Sequence, residues 1–147
     1  MKKFLVICLA AMLTATASSA APVNEKVLKV FATSFPEVQE TTWYNYDTYY
    51  SVYFKITGDL KCRIDYDPEG NIISTTRYYS SESLPPFIRG RVNQKFPGKK
   101  IFGVTEISSA DEMAYHIVLE DDKTWYNVKS DATGSISVEK KMVKAEN

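Results

Sequence analysis

Cys62 and His116 are the side chains of this sequence best suited to covalent or acid–base chemistry. His116 is the one histidine in 147 residues, so any Ser-His-Asp or Cys-His arrangement has to be built on it. It lies in MAYHIVLE (113–120), where Tyr115, Ile117 and Leu119 alternate with His116 and Val118. A lone histidine in such a strand reads as structural or solvated. Cys62 lies in LKCRIDY (60–66), with Leu60, Cys62, Ile64 and Tyr66 on one face and Lys61, Arg63 and Asp65 on the other. That alternation puts the thiol on the core side, where it behaves as a small hydrophobe, with no activating base nearby in sequence. A zinc centre wants several His or Cys ligands, which this chain does not offer. DYDPEGN (65–71) imitates the opening of an EF-hand loop through Asp65, Asp67, Glu69 and Gly70, but Thr76 stands where the closing Glu is required. Its flanks read as strands, so it is a hairpin turn. Asp111-Glu112 and Asp121-Asp122 fall in loops, and their spacing does not assign them to glycoside chemistry. Gly98-Lys99-Lys100 lacks the frame of a phosphate loop. The expectation is a protein without catalytic residues, metal or cofactor, and not an enzyme.

What stands out instead is aromatic. TWYNYDTYYSVYF (42–54) carries seven rings: Trp43, Tyr44, Tyr46, Tyr49, Tyr50, Tyr53 and Phe54. Alternation sends Tyr50, Val52 and Phe54 inward, with Ile56 continuing the series and Trp43 beside them. Tyr44, Tyr46, Tyr49 and Tyr53 are left on the opposite side. Trp125 and Tyr115 are further surface candidates. Tyrosine is large, stiff and amphipathic, and serves recognition surfaces for that reason. Cross-strand aromatic pairs also stabilise an exposed sheet by roughly 0.2–1 kcal/mol each. The rings are therefore read either as a contact surface or as sheet packing.

Helices and strands place these rings. VLKVFATSFPEV (27–38) resembles IRGRVNQKFPGK (88–99), and DPEGNI (67–72) resembles DATGSI (131–136). Val27, Phe31 and Phe35, and again Ile88, Val92 and Phe96, recur every four residues, one stripe of a helix. Asn24 is placed to cap the first helix and Pro36 to stop it. Pro85-Pro86 suits a first helical turn, and Pro97-Gly98 ends the second helix. Strands are expected at 39–46, 49–56, 60–66 and 71–79, then at 100–107, 114–120, 124–130 and 135–143. The Asp-x-x-Gly segments between the last two strands of each set are tight turns. The expected fold class is α+β: a tandem repeat of α-β-β-β-β units, each a helix packed on its own four-stranded antiparallel sheet, with units at 21–80 and 81–147.

The chain opens MKKFLVICLAAMLTATASSA, a basic start, an uncharged apolar run from Phe4 to Leu13 and a small-residue site. This reads as a secretory signal peptide over 1–20, cleaved after Ala20. The run is too short to span a bilayer, and Ile7 before Cys8 argues against lipidation. Loss of Lys2 and Lys3 leaves 16 basic against 18 acidic residues, a net charge of −2. That charge excludes a nucleic-acid footprint. Cys62 is then the one remaining cysteine and closes no internal disulfide.

The Phe-Pro helix ends, the Tyr50-Val52-Phe54 and Tyr115-Ile117-Leu119 strands and the Asp-x-x-Gly turns together resemble the PepSY-like family of exported Bacteroidetes proteins, also described as β-lactamase-inhibitor-like. The likeness covers residues 24–143. It implies a periplasmic, non-catalytic role, inhibitory or ligand-binding. The β-lactamase inhibitor protein itself has a disulfide in each repeat, which a single mature cysteine forbids, so inhibition of that enzyme does not carry over, and no binding residue transfers. The expected function is an exported binding module, with a protein of the periplasm or envelope as partner and Tyr44, Tyr46, Tyr49, Tyr53, Tyr115 and Trp125 as its surface. The alternatives are a cell-wall or glycan ligand, with Trp125 stacking on sugar, and a structural protein that self-associates. No nucleic acid and no membrane span after cleavage are expected.

Overall fold

The computed structural model describes residues 22–58 and 60–145; the signal peptide read over 1–20 lies outside the described residues. Helix α1, Glu25–Ser34, starts where Asn24 accepts a 2.8 Å hydrogen bond from the Lys26 N–H, and it buries Val27 and Phe31. Helix α2, Pro86–Lys95, has proline in its first turn and buries Ile88 and Val92. A short 3-10 turn, Ser81–Ser83, precedes it. The strands are β1 Thr41–Asn45, β2 Tyr50–Lys55, β3 Lys61–Tyr66 and β4 Ile72–Tyr79, then β5 Lys100–Ser109, β6 Met113–Glu120, β7 Thr124–Asp131 and β8 Ile136–Val143. None of the described helices is long and apolar enough to cross a membrane.

These strands do not form the two separate sheets expected from the sequence. All eight make one antiparallel sheet in chain order, so the fold is not a tandem repeat of helix-plus-four-strand units. The finding that overturns that expectation is the β4–β5 ladder, which runs from Ser74 opposite Ser109 to Tyr79 opposite Val104. Two free-standing sheets would leave those inner edges with unpaired backbone groups; pairing them satisfies both rows at once.

Register carries one row of side chains across the sheet: Phe54, Cys62, Arg77, Glu106, Tyr115, Ser130 and Ile136. Both helices cover this side. Under α1 lie Val52, Phe54, Cys62, Ile64 and Tyr66. Under α2 lie Ile101, Val104, Tyr115, Ile117, Leu119 and Val128. Arg77 and Glu106 divide the two clusters. Glu106 is buried and accepts from Arg77 Nε at 3.0 Å and from the Tyr79 hydroxyl at 2.5 Å. Burial and the neighbouring carboxylate hold the Tyr79 phenol well above its ordinary value. The Tyr66 hydroxyl is different: among the described residues it is the buried side-chain polar atom with no partner.

The Asp-x-x-Gly turns form as expected. Asp67 accepts from the Asn71 backbone at 2.8 Å, and Asp131 from Thr133 and Ser135 at 2.8 and 3.0 Å. Gly70 and Gly134 supply the positive φ that these turns need.

Two tyrosine hydroxyls should therefore behave oppositely. Tyr79→Phe takes a donor from a buried carboxylate and should cost about 1–3 kcal/mol, whereas Tyr66→Phe removes an unpaid desolvation and should be neutral or stabilising; urea unfolding followed by tryptophan fluorescence measures both. Hydrogen bonds, led by the Asn71 side chain at Asp67 and the Thr133 hydroxyl at Asp131, hold both carboxyls below their ordinary value. A depressed folded pKa contributes stability above the unfolded value of about 4 and loses it as pH falls through the folded value. The thermal midpoint should thus drop below about pH 4, and Asp67→Asn with Asp131→Asn should flatten that drop.

Candidate functional site

The face of the sheet opposite the helices is the candidate site. Its first rows are Thr42, Tyr53, Arg63, Thr76 and Ile107, and alongside them Tyr44, Ser51, Asp65 and Ser74. Tyr44 and Tyr53 meet edge to face at 5.4 Å. Tyr46 and Tyr49 stack at 4.5 Å across the β1–β2 hairpin, whose bend is Asp47-Thr48. Tyr44 and Tyr46 are 49% and 42% exposed, while Tyr49 and Tyr53 are half-buried. Burial pushes the Tyr53 phenol up.

The rings stand around a polar floor. Ser51 and Asp65 belong to the open side, yet they are 0% and 7% exposed. Asp65 accepts from the Ser51 hydroxyl, from Ser74 at 2.8 Å and from Arg63 Nε at 2.9 Å. The Arg63 guanidinium in turn lies 5.6 Å from the Tyr53 ring centre, where a cation–π attraction operates. One carboxylate thus pins three neighbours beneath the rings. A depression of about 620 Å³ borders the patch, lined by Thr42, Tyr53, Lys55, Lys61 and Tyr78 among others. Lys55 and Lys61 face each other directly across β2 and β3.

The structure thus brings Tyr44, Tyr46, Tyr49 and Tyr53 together. It places Tyr115 elsewhere: that ring is 5% exposed, in the core beneath α2, so the expectation that Tyr115 is a surface residue is corrected. Its place beside Ile117 and Leu119 in the alternation of β6 is the physical reason. Ile56, expected to point at the helix, lies past the end of β2 and is exposed. Trp125 is on the open side, at the far end, with Phe102 edge-on at 5.1 Å and Lys144 Nζ 4.4 Å from its ring centre. One of its faces is therefore already covered. Sequence reasoning missed Arg63, Asp65, Tyr78 and Ile107. Alternation along 71–79 would have put Tyr78 on the face; nothing in the sequence marks Asp65 as buried.

His116 sits on the same open side and contacts Glu139 at 3.2 Å. Cys62 is buried and free, and burial raises its thiol. Among the described residues no cluster of His, Cys, Asp or Glu has metal-binding geometry.

Eight antiparallel strands in chain order, with two helices on one side, decide the structural kinship. The fold is BLIP-like. The chain matches a BLIP-like protein from Bacteroides fragilis with a TM-score of 0.65 at 15% identity, over 86% of this chain and 91% of that one. It matches a DUF2874 family protein from Bacteroides ovatus with a TM-score of 0.61 at 18% identity, over 80% and 85% of the two chains. A third match is a Bacteroides eggerthii protein provisionally named periplasmic, with a TM-score of 0.64 at 13% identity, over 83% and 89%. No protein-family model matches the chain, and no curated protein does. At these identities the likeness to BLIP-like proteins is one of fold.

In this BLIP-like fold Cys62 should resist alkylation by iodoacetamide at pH 8 until the protein unfolds, because the thiolate is both scarce and screened. Mass spectrometry across a urea series should show modification tracking the unfolding transition.

Proposed function

We propose that this protein is an exported, non-catalytic binding module that holds a protein of the periplasm or envelope against the tyrosine-lined face of its sheet, and acts on that partner as an inhibitor. The observation that carries this reading is the cluster of Tyr44, Tyr46, Tyr49 and Tyr53 on the β1–β2 hairpin, held ring against ring, with β2 tied to β3 and β4 beneath it by the Asp65 hydrogen bonds. Rings held this way lose little freedom on contact, so more of their burial counts toward affinity. Exposed apolar patches of this kind mark interaction sites. The opposed Lys55 and Lys61 add a preference for a carboxylate on the partner, since like charges directly opposite are otherwise unfavourable. The first twenty residues, which read as a secretory leader, and the BLIP-like neighbours support the same reading, as does the resemblance to PepSY-like proteins. A protein partner is preferred to a glycan because the covered face of Trp125 leaves that ring poorly placed to stack on sugar.

The test compares native protein with Tyr44→Ser/Tyr46→Ser. Both side chains are exposed, so the fold should stand, and circular dichroism checks it. An envelope protein retained by the native chain should bind the variant at least about tenfold more weakly by calorimetry, a loss of about 1.4 kcal/mol. Equal retention of all envelope proteins by the two chains would falsify the assignment.

A further inference from the structure

The sheet is open, so β1 and β8 are both edges, but only one is defended. β8 carries Glu139, Lys140 and Lys141, and its register shifts at Asn127/Val128, leaving Glu139 as the extra residue of a bulge. Charges and bulges are how sheets refuse further strands. β1 reads Thr-Thr-Trp-Tyr-Asn, with no charge or proline, and its register to β2 is unbroken.

Which groups of β1 face outward follows from its hairpin. The Tyr46 N–H bonds the Tyr49 carbonyl, so hydrogen-bonded pairs alternate back from there to Tyr44–Ser51 and Thr42–Tyr53. Thr41 and Trp43 occupy the pairs between and turn their N–H and C=O groups away from β2. Among the described residues neither has a backbone partner on that side.

We infer that β1 is a self-pairing edge, which joins two copies of this chain antiparallel about a two-fold axis through Thr42. In that register Thr41 of each copy faces Trp43 of the other, and their outward groups make four N–H···O=C bonds. Thr42 meets its own counterpart on the open face, a Thr–Thr pair at close spacing, while each Thr41–Trp43 contact sets a β-branched residue beside an aromatic ring; both pair types favour strand association. The flanking Glu40 falls opposite Tyr44, so no like charges meet. The contact is isologous and closes at two copies. A second copy suits this edge better than an unrelated strand because the two matching pairs are supplied by the same five residues. The pairing lies in the plane of the sheet and leaves the tyrosine face open, so it stands or falls independently of the binding function.

Light scattering and sedimentation of the exported protein, over a wide range of concentration, test it. The mass should rise from one chain toward two. Thr41→Pro removes an outward N–H that β2 does not use, at the first residue of the strand where proline is tolerated, and should hold the protein at one chain with an unchanged circular dichroism spectrum. Thr42→Cys places a thiol on the axis and should give a disulfide-linked pair under mild oxidation. Thr41→Pro/Thr42→Cys should link much more slowly, and so should Thr33→Cys, an exposed helical control. A native chain that stays at one-chain mass throughout overturns the inference. So does a pair that persists in Thr41→Pro, or linking of Thr42→Cys at the rate of either control.

Discussion

Glu106 is the group on which the rest of this structure turns. A carboxylate that is 4% exposed costs several kcal/mol to desolvate unless donors replace its water. Here Arg77 comes from the neighbouring strand and the Tyr79 hydroxyl from two residues further along it. All three lie where the fourth strand meets the fifth, between the two apolar clusters. An apolar pair at that place would merge the clusters and leave the register of β4 against β5 to backbone bonds alone. The ion pair opposes a slip by one residue, which would turn Arg77 and Glu106 to opposite faces.

A continuous sheet with both helices on one side has a consequence for recognition. Its other side becomes a single platform eight strands wide, interrupted by no crossover. The part over the first four strands is aromatic and carries a buried polar floor. The part over the last four carries ion pairs, Lys129 with Glu112 and Lys144 with Glu120, and a polar contact of His116 with Glu139. Exposed pairs of that kind are worth little to stability, but they keep that half hydrated. The tyrosine end thus carries the larger aromatic cluster, with Phe102 and Trp125 as a smaller pair at the far end.

Much of this was legible in the residues. The four-residue stripes of Val27, Phe31 and Phe35 and of Ile88, Val92 and Phe96 place both helices, and the Asp-x-x-Gly turns place two hairpins. Alternation predicts the inward Cys62 and Ile64, whereas the surface role expected for Tyr115 runs against it, since Ile117 and Leu119 share its parity and the ring is buried. What alternation does not encode is whether a fourth strand ends a sheet or continues into the next one. Thr76, Arg77 and Tyr78 would suit either place. Nor does it distinguish a solvated Asp65 from one enclosed by Ser51, Ser74 and Arg63, because that burial arises only when β2, β3 and β4 lie side by side. The site is thus half readable: its rings follow from period two, its floor from tertiary pairing.

The two ends of the sheet complete the picture. A strand edge with outward backbone groups is a hazard that folded proteins suppress, and β8 suppresses it with a bulge and lysines. β1 cannot take the same remedy without damage to its neighbours. Trp43 packs edge-on against Phe31 at 5.4 Å and faces Tyr66 at 6.5 Å, so a bulge at this point would rotate the ring out of the α1 core. A charge at Tyr44 would break its contact with Tyr53 and open the roof over Ser51. The edge is left plain because both of its faces are already committed, one to the core and one to the aromatic patch. What remains to satisfy the backbone of Thr41 and Trp43 is water or another strand, and a strand of the same sequence meets every side-chain requirement that the two faces impose.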